Sequence, residues 1–210
     1  LSVSEDFKES DGYQYDLCDL TRQAMSNRFH KEQIKFADAY KKKNISAVEE
    51  IAKKQLSLLA DMDTLLSHRK EFCFSRWIND CHNLATDEKE KRYFDMNART
   101  LLTSWGDIRS TTWSLYDYAW REWSGLIKEY YYKRWKMFYN KVLYCLKNKK
   151  ILFIINGDGY IGRFWYKSYP FGKKLNKFEL SWLKDYKEYP EPKNSDVIGC
   201  VKKYAEKWGL

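Results

Sequence analysis

The sequence predicts a mainly α-helical protein: a single bundle domain of about six or seven helices with a long irregular, aromatic-rich loop. Two observations lead to this fold class. Only 3 prolines and 9 glycines interrupt the 210 residues, so long helices can form. Apolar residues also recur at three- and four-residue steps along most of the chain, which is the helical period. With 44% hydrophobic and 32% charged residues, the composition is typical of a folded protein rather than a disordered one.

Three helices are predicted in the first 85 residues. Residues 1–14 are polar and are expected to form a flexible lead-in, so that the helical domain spans 15–210. The first helix is predicted to begin near Tyr15 and to end in the basic segment Lys41–Asn44. Its expected apolar face consists of Leu17, Leu20, Ala24, Ile34, Ala37 and Tyr40. The second helix has a clearer stripe, which consists of Val48, Ile51, Ala52, Leu59, Met62 and Leu66. The third is short and contains Trp77, Ile78, Cys81 and Leu84.

Two longer helices are predicted next. Thr86 is expected to cap the fourth helix, with Asp87 and Glu88 in its first turn, and Gly106 is expected to end it. Its expected buried residues are Phe94, Ala98, Leu101, Leu102 and Trp105. The fifth helix is the longest and is predicted from about Tyr116 to Lys147. Its apolar residues at helical spacing are Trp120, Trp123, Ile127, Tyr131, Trp135, Phe138, Val142 and Cys145.

Residues 151–175 differ in character from the rest of the chain. They contain four glycines, one proline and many aromatic residues without periodicity, so they are predicted to form a long irregular loop. Two closing helices are predicted after it, Asn176–Tyr189 and a helix that Ser195 caps and that ends near Trp208. The prolines in the segment 190–192 are expected to separate them.

The net charge raises the question of an anionic partner. Lys and Arg number 38 and Asp and Glu 29, which gives +9. Binding to nucleic acid would require the cations to gather on one face or in one run. They are spread along the chain, and Lys41–Lys43 and Lys147–Lys150 lie at predicted helix ends, where they complement the helix dipole. No nucleic-acid partner is therefore expected. The alternative function that the charge leaves open is a basic helical module that binds nucleic acid or another protein.

The cysteines and the apolar segments predict neither a metal site nor a membrane span. The five cysteines form no CxxC pattern and the three histidines are scattered, whereas a zinc site needs clustered ligands. Buried free thiols are the favoured interpretation, and no cofactor is expected. The longest strongly apolar run, Ile151–Ile155, is far below the ~18 residues that a membrane span needs. The chain begins with Leu1 and shows no signal peptide, so we expect a piece of a longer protein.

The sequence contains no self-contained catalytic pattern. Hydrolysis of a glycoside, for example, needs two carboxylates on either side of a sugar. Asp61 and Asp63 are two residues apart and cannot share a helix face, while Asp87 and Glu88 suit helix capping. Motifs for a serine nucleophile, phosphate binding or a metallohydrolase are absent from the sequence. We therefore assign no catalytic residue.

Two aromatic residues flank the same polar loop. Trp105 stands in the last turn of the fourth predicted helix and Tyr118 in the first turn of the fifth. Aromatic rings at a common rim can pack on the C–H face of a pyranose. From the residues alone, however, aromatic residues at helix junctions belong more often to a core, which is the interpretation that the pattern favours.

Four short motifs, in order and at fitting spacings, resemble one known family. Tyr15–Ala24 resembles a YDLxDLTRQA motif, and Asn97–Gly106 resembles NART followed by LWG. Asp117–Leu126 is similar to DYANKxWAGL, and Tyr130–Trp135 is similar to YYxPRW. All four belong to the C-terminal helical domain of family 89 glycoside hydrolases, the α-N-acetylglucosaminidases. Among the departures from these motifs are Trp120 in place of Asn and Lys133 in place of Pro.

The resemblance implies an exo-acting, retaining glycosidase that removes terminal α-linked N-acetylglucosamine from glycans. The catalytic carboxylates are then expected on an upstream barrel domain, against which this domain packs. Trp105 and Tyr118 match the family's positions that line the sugar pocket, so the resemblance implies that both bind substrate. It implies structural roles for Arg22, Arg99 and Arg134. Family habit also implies an exported or lysosomal enzyme.

Overall fold

The structure is a computed structural model, and it describes residues 2, 4, 6–105, 117–150, 170–189, 191, 192 and 195–210. These ranges contain seven α-helices: α1 Asp11–Lys41, α2 Ile45–Leu66, α3 Phe74–Asn83, α4 Glu88–Leu102, α5 Tyr132–Lys147, α6 Pro170–Leu183 and α7 Val197–Trp208. A 3₁₀ turn, Lys70–Phe72, precedes α3, and a π-helical segment, Ile127–Tyr131, leads into α5. The prediction of a mainly α fold is confirmed. Residues 151–169 of the loop predicted over 151–175, and the helix end predicted at Gly106, lie outside the described residues.

The chain divides into two compact units. The first unit consists of Leu1–Phe74, Trp123–Tyr139 and Glu191–Leu210, and the second of Ser75–Glu122 and Asn140–Pro190. The core of the first unit lies between α1, α2 and α7. It is formed by Cys18, Met25, Leu58, Leu59, Met62, Leu65, Leu66, Phe72, Ile127, Val197, Cys200, Val201, Tyr204 and Trp208.

Helix α1 begins earlier than predicted and buries a different face. Ser10 caps it by accepting a hydrogen bond from the N–H of Tyr13, so the helix begins at Asp11 rather than near Tyr15. Leu20 and Ile34, expected on the apolar face, are exposed. The buried residues are instead Cys18, Thr21, Met25, Glu32, Phe36 and Ala39. Because Thr and Glu occupy this face, hydrophobic periodicity could not identify it.

Helix α2 follows the prediction closely. All but one of the six predicted stripe residues are buried, and Ile51 is half-buried. Asp63 on the same helix is buried and accepts hydrogen bonds from the N–H groups of Gly125 at 2.7 Å and Lys128 at 3.0 Å. Burial raises the pKa of Asp63, and these backbone donors oppose that shift. The carboxylate thereby satisfies unpaired N–H groups at the start of the helical segment before α5.

The helices of the second unit differ from the prediction mainly at their ends. Asp87, not Thr86, caps α4, because its Oδ1 accepts from the N–H groups of Lys89 and Glu90 at 2.8 Å. Glu90 in turn accepts from the N–H and hydroxyl of Thr86. Leu101, predicted to be buried, is exposed, and Leu84, predicted in the third helix, lies just beyond its end at Asn83.

The longest predicted helix and the two closing helices also shift. Residues 117–125 are not helical, so the helix predicted from Tyr116 starts about ten residues later. Helix α6 begins at Pro170, a favourable first helical residue, and ends at Leu183. Residues 170–175 are therefore helical rather than part of the loop. Helix α7 is capped by Asp196, not Ser195, and ends at Trp208 as predicted.

None of the helices in the described ranges combines the length and the apolar character that crossing a bilayer requires.

Candidate functional site

The candidate site is built on the C-terminal end of α4, in the second unit. Thr103 is buried there, and its hydroxyl donates a hydrogen bond to the carbonyl oxygen of Arg99 at 2.8 Å. The N–H of Trp105 donates to the carbonyl oxygen of Thr100 at 2.8 Å. The N–H of Asp117 donates to the carbonyl oxygen of Thr103 at 2.6 Å. These bonds satisfy carbonyl groups that the helix end leaves free, and they join the chain at 117 directly to the end of α4.

The two aromatic residues singled out from the sequence meet at this place. The ring centroids of Trp105 and Tyr118 are 6.3 Å apart and their planes make an angle of 71°, which is an edge-to-face contact. Trp105 is half-buried, whereas Tyr118 is 70% exposed. The pair therefore presents an aromatic surface to the outside of the second unit. Contact of these rings with a substrate remains a prediction.

The backbone around the ring pair is strained. Trp105, Asp117 and Trp120 have φ angles of 56°, 57° and 44°, in the left-handed region that residues other than glycine rarely adopt. Such conformations cost free energy and tend to persist at functional sites, where the surrounding contacts enforce them. Here the enforcing contacts are the hydrogen bonds from Asp117 to Thr103 and from Trp120 to the carbonyl oxygen of Asp117 at 3.1 Å.

The prediction for Trp120 is wrong. Helical spacing predicts it on the apolar face of the longest helix, but it lies in the non-helical segment and is 77% exposed. The signal that could have identified it is the replacement of the motif's Asn by Trp, since an Asn there suits a left-handed backbone and a bulky indole does not.

Beneath the site, α4 carries a buried charge network. Arg99 pairs with Asp95, donates to the phenol oxygen of Tyr189 at 3.0 Å and lies over the Trp182 ring at 4.8 Å. The Nε2 atom of His82 is 3.0 Å from Asp95. These contacts hold α4 against the residues around α6 and agree with the structural role that the resemblance implies for Arg99.

Two exposed carboxylates with lowered pKa values lie in contacts other than the ring pair. A hydrogen bond from Arg69 lowers the pKa of Asp11, and a hydrogen bond from Lys91 lowers the pKa of Glu188. Both acids are exposed partners of basic groups, which suits surface pairing rather than proton transfer. Within the described ranges, no cluster of three or more His, Cys, Asp and Glu residues could hold a metal ion.

The family model for the α-N-acetylglucosaminidase (NAGLU) C-terminal domain matches residues 1–207. The chain belongs to this family. The human α-N-acetylglucosaminidase is 24% identical over 213 residues, which cover 99% of this chain and 26% of the human protein. This α-N-acetylglucosaminidase C-terminal domain therefore spans about a quarter of the length of that relative.

Solved structures share its fold. The Clostridium perfringens protein CpGH89, as a doubly substituted variant in complex with its substrate GlcNAc-α-1,4-galactose, superimposes with a TM-score of 0.80 at 28% identity. That match covers 98% of this chain and 22% of the bacterial chain. The family 89 glycoside hydrolase from the same organism in complex with PUGNAc gives a TM-score of 0.78 at 28% identity, covering 99% and 22%.

Proposed function

We propose that this domain is part of an exo-acting, retaining glycosidase that removes terminal α-linked N-acetylglucosamine from glycans. Membership of the family and the likeness to a relative bound to GlcNAc-α-1,4-galactose support this activity. The catalytic carboxylates belong to an upstream barrel domain of the same polypeptide, and the helical domain packs on that barrel. The enzyme is exported or lysosomal.

The role of this domain is to provide one aromatic wall of the sugar pocket. The observation that carries the proposal is the edge-to-face pair of Trp105 and Tyr118, with the tyrosine ring largely exposed. A flat ring offers a surface for the C–H groups of a pyranose, and a phenol hydroxyl can exchange hydrogen bonds with sugar hydroxyls. Because the two rings are close to perpendicular, they can contact a sugar from two directions. Such contacts would fix the orientation of the sugar as well as bind it.

The domain contributes binding and water exclusion rather than acid or base. Wall contacts raise the catalytic rate only where they hold the sugar in the geometry that the transition state requires. The strained backbone supports this role, because the hydrogen bonds that enforce it also fix where the two rings lie.

The first test uses Trp105→Ala and Tyr118→Ala in the full-length protein, with 4-nitrophenyl α-N-acetylglucosaminide as substrate. We expect each variant to lower kcat/KM by about ten-fold, which is typical of a well-packed aromatic contact. The matched control is Tyr93→Ala, which removes another exposed tyrosine of the second unit, on α4. Kinetics that stay unchanged in both site variants would show that the rings only pack against each other.

The second test separates this domain from the catalytic machinery. The isolated 210-residue chain is expected to give no hydrolysis of the same substrate, whereas the full-length protein is active. Turnover by the isolated chain would contradict the location of the carboxylates on a barrel. A labelled oligonucleotide titrated at low salt checks the nucleic-acid alternative, which requires binding that weakens as salt is added.

A further inference from the structure

Trp120 presents a largely exposed indole at the surface of the second unit. It is 77% exposed, more than Tyr118, and among the described residues no side chain stacks on the ring or accepts a hydrogen bond from it. Its backbone is also left-handed, with φ 44°. Both features lower the stability of the isolated domain: the left-handed backbone costs free energy, and the exposed indole leaves a large apolar surface in water.

The position of Trp120 is tied to the proposed sugar wall. Its N–H donates to the carbonyl oxygen of Asp117 at 3.1 Å, and the N–H of Asp117 donates to Thr103 at the end of α4. Trp120 follows Tyr118 by two residues, so their Cα atoms are at most about 7.6 Å apart. A third ring is therefore held within reach of a saccharide that contacts Trp105 and Tyr118.

We propose that Trp120 contacts the aglycone: its indole stacks on the sugar residue that is attached to the terminal N-acetylglucosamine. This inference rests on the proposed function. An exo-acting enzyme encloses the terminal sugar, and the next residue of the glycan leaves the pocket towards solvent. Of the three aromatic residues here Trp120 is the most exposed, which places it on the outer side, where a second pyranose ring would pass.

The chemistry of the indole fits this occupant. Tryptophan offers the largest flat apolar surface of any side chain, and the C–H face of a pyranose packs on such a surface. The contact selects for a ring-shaped aglycone and has little effect on a substrate whose leaving group is a single atom. Trp120 therefore determines aglycone preference, and it takes no part in bond cleavage.

The variant Trp120→Asn removes the ring and relieves the strain, because Asn tolerates a left-handed backbone. It is measured in the full-length protein with two substrates, GlcNAc-α-1,4-galactose and α-N-acetylglucosaminyl fluoride. We expect the ratio of kcat/KM for the disaccharide to that for the fluoride to fall about ten-fold, equivalent to about 1.4 kcal/mol. The thermal midpoint is expected to stay equal to that of the wild type or to rise.

Two further variants sharpen the result. Trp120→Tyr keeps an aromatic ring and is expected to hold the ratio within about three-fold of the wild type, because a smaller ring still stacks. Leu84→Asn removes another exposed apolar side chain of the same unit, 76% exposed, and is expected to leave the ratio unchanged.

The outcomes separate this inference from the proposed function. If the wild type hydrolyses both substrates and Trp120→Asn leaves the ratio unchanged, the aglycone role is wrong and the glycosidase stands. If Trp120→Asn lowers both activities equally and also lowers the thermal midpoint, Trp120 is a contact with the neighbouring domain and the inference is overturned. If the wild type hydrolyses neither substrate, the proposed function fails and the inference fails with it.

Discussion

Removing one partner of the buried Asp95–Arg99 pair should destabilise the second unit severely. Both side chains are buried, and Asp95 also lies 3.0 Å from the Nε2 atom of His82. The variant Asp95→Ala removes the Asp95 carboxylate from the guanidinium of Arg99, which also lies near the Trp182 carbonyl oxygen and the Tyr189 hydroxyl. Removing one partner of a buried ion pair costs about 3–5 kcal/mol of unfolding free energy.

The chain contains a matched pair that is not buried. Asp19 and Arg22 form the same kind of ion pair within one helix, at 2.9 Å, but both side chains are partly exposed to solvent. Because water screens the charges and side-chain entropy opposes the contact, Asp19→Ala is expected to cost only about 0.5 kcal/mol. The difference between the two variants measures what burial adds to an Asp–Arg pair.

Urea unfolding of the chain, followed by tryptophan fluorescence and near-ultraviolet circular dichroism, gives both free energies. Asp95→Asn should lie between Asp95→Ala and the wild type, because the amide oxygen still accepts from Arg99 although the charge is gone. Equal losses for Asp19→Ala and Asp95→Ala, or a loss below about 1 kcal/mol for Asp95→Ala, would refute the reasoning from burial.

Two other predictions concern buried thiols and glycines. Burial raises the pKa of Cys18 to about 12 and that of Cys73 and Cys200 to about 11, from an ordinary 9.0. Below pH 9 these thiols are protonated in both the folded and the unfolded chain, and their contribution to stability is complete. As the pH rises from 9 towards the raised pKa values, only the thiols of the unfolded chain ionise, so this contribution is lost. Cys18 then lowers the unfolding free energy by about 1.4 kcal/mol between pH 8 and pH 10. The decrease over this range should therefore be smaller by about 1.4 kcal/mol in Cys18→Ala, and identical decreases would contradict this. Gly125 has φ 87° and a Cβ there would meet Phe74 at 3.4 Å, so Gly125→Ala should cost about 1–2 kcal/mol. Gly12→Ala, in α1 with open space around it, should stabilise by about 0.5 kcal/mol. Urea midpoints that shift in the same direction for both alanine variants would contradict the backbone argument.

The sequence was a good guide where apolar residues alone form the buried face. Helix α2 shows this, since its predicted stripe is the face that packs in the core. Helix α1 shows the opposite case. Its buried face includes Glu32, which is paired with Lys54 at 3.0 Å and Lys35 at 3.2 Å, while Leu20 points to solvent. A buried charge depends on partners distant in sequence, so periodicity cannot reveal it.

Helix ends were missed for a different reason. The composition of 151–175 predicts Pro170 in a loop, whereas proline also suits the first helical position, which it occupies in α6. The start of the longest helix was placed ten residues too early because aromatic residues at three- and four-residue spacing continue into 117–125. Nothing in that composition shows that Asp117 and Trp120 are left-handed. Their conformation follows from the hydrogen bond of Asp117 to Thr103 at the end of α4 and from that of Trp120 to Asp117. The contact with α4 forms only in the folded chain.

The same left-handed residues explain why local sequence reasoning favoured a core role for Trp105 and Tyr118. Aromatic residues next to a helix normally pack inward, and a regular backbone would allow that. In this chain the bonds from Trp105 to Thr100 and from Asp117 to Thr103 turn the backbone away from the helical path and leave Tyr118 facing outward. The exposed Tyr118 ring and the strained backbone beside it both lower the stability of the domain. The buried contacts of Arg99 hold α4 in place and so stabilise the strained conformation at its end. Conservative changes in these contacts should therefore displace the rings before they unfold the domain.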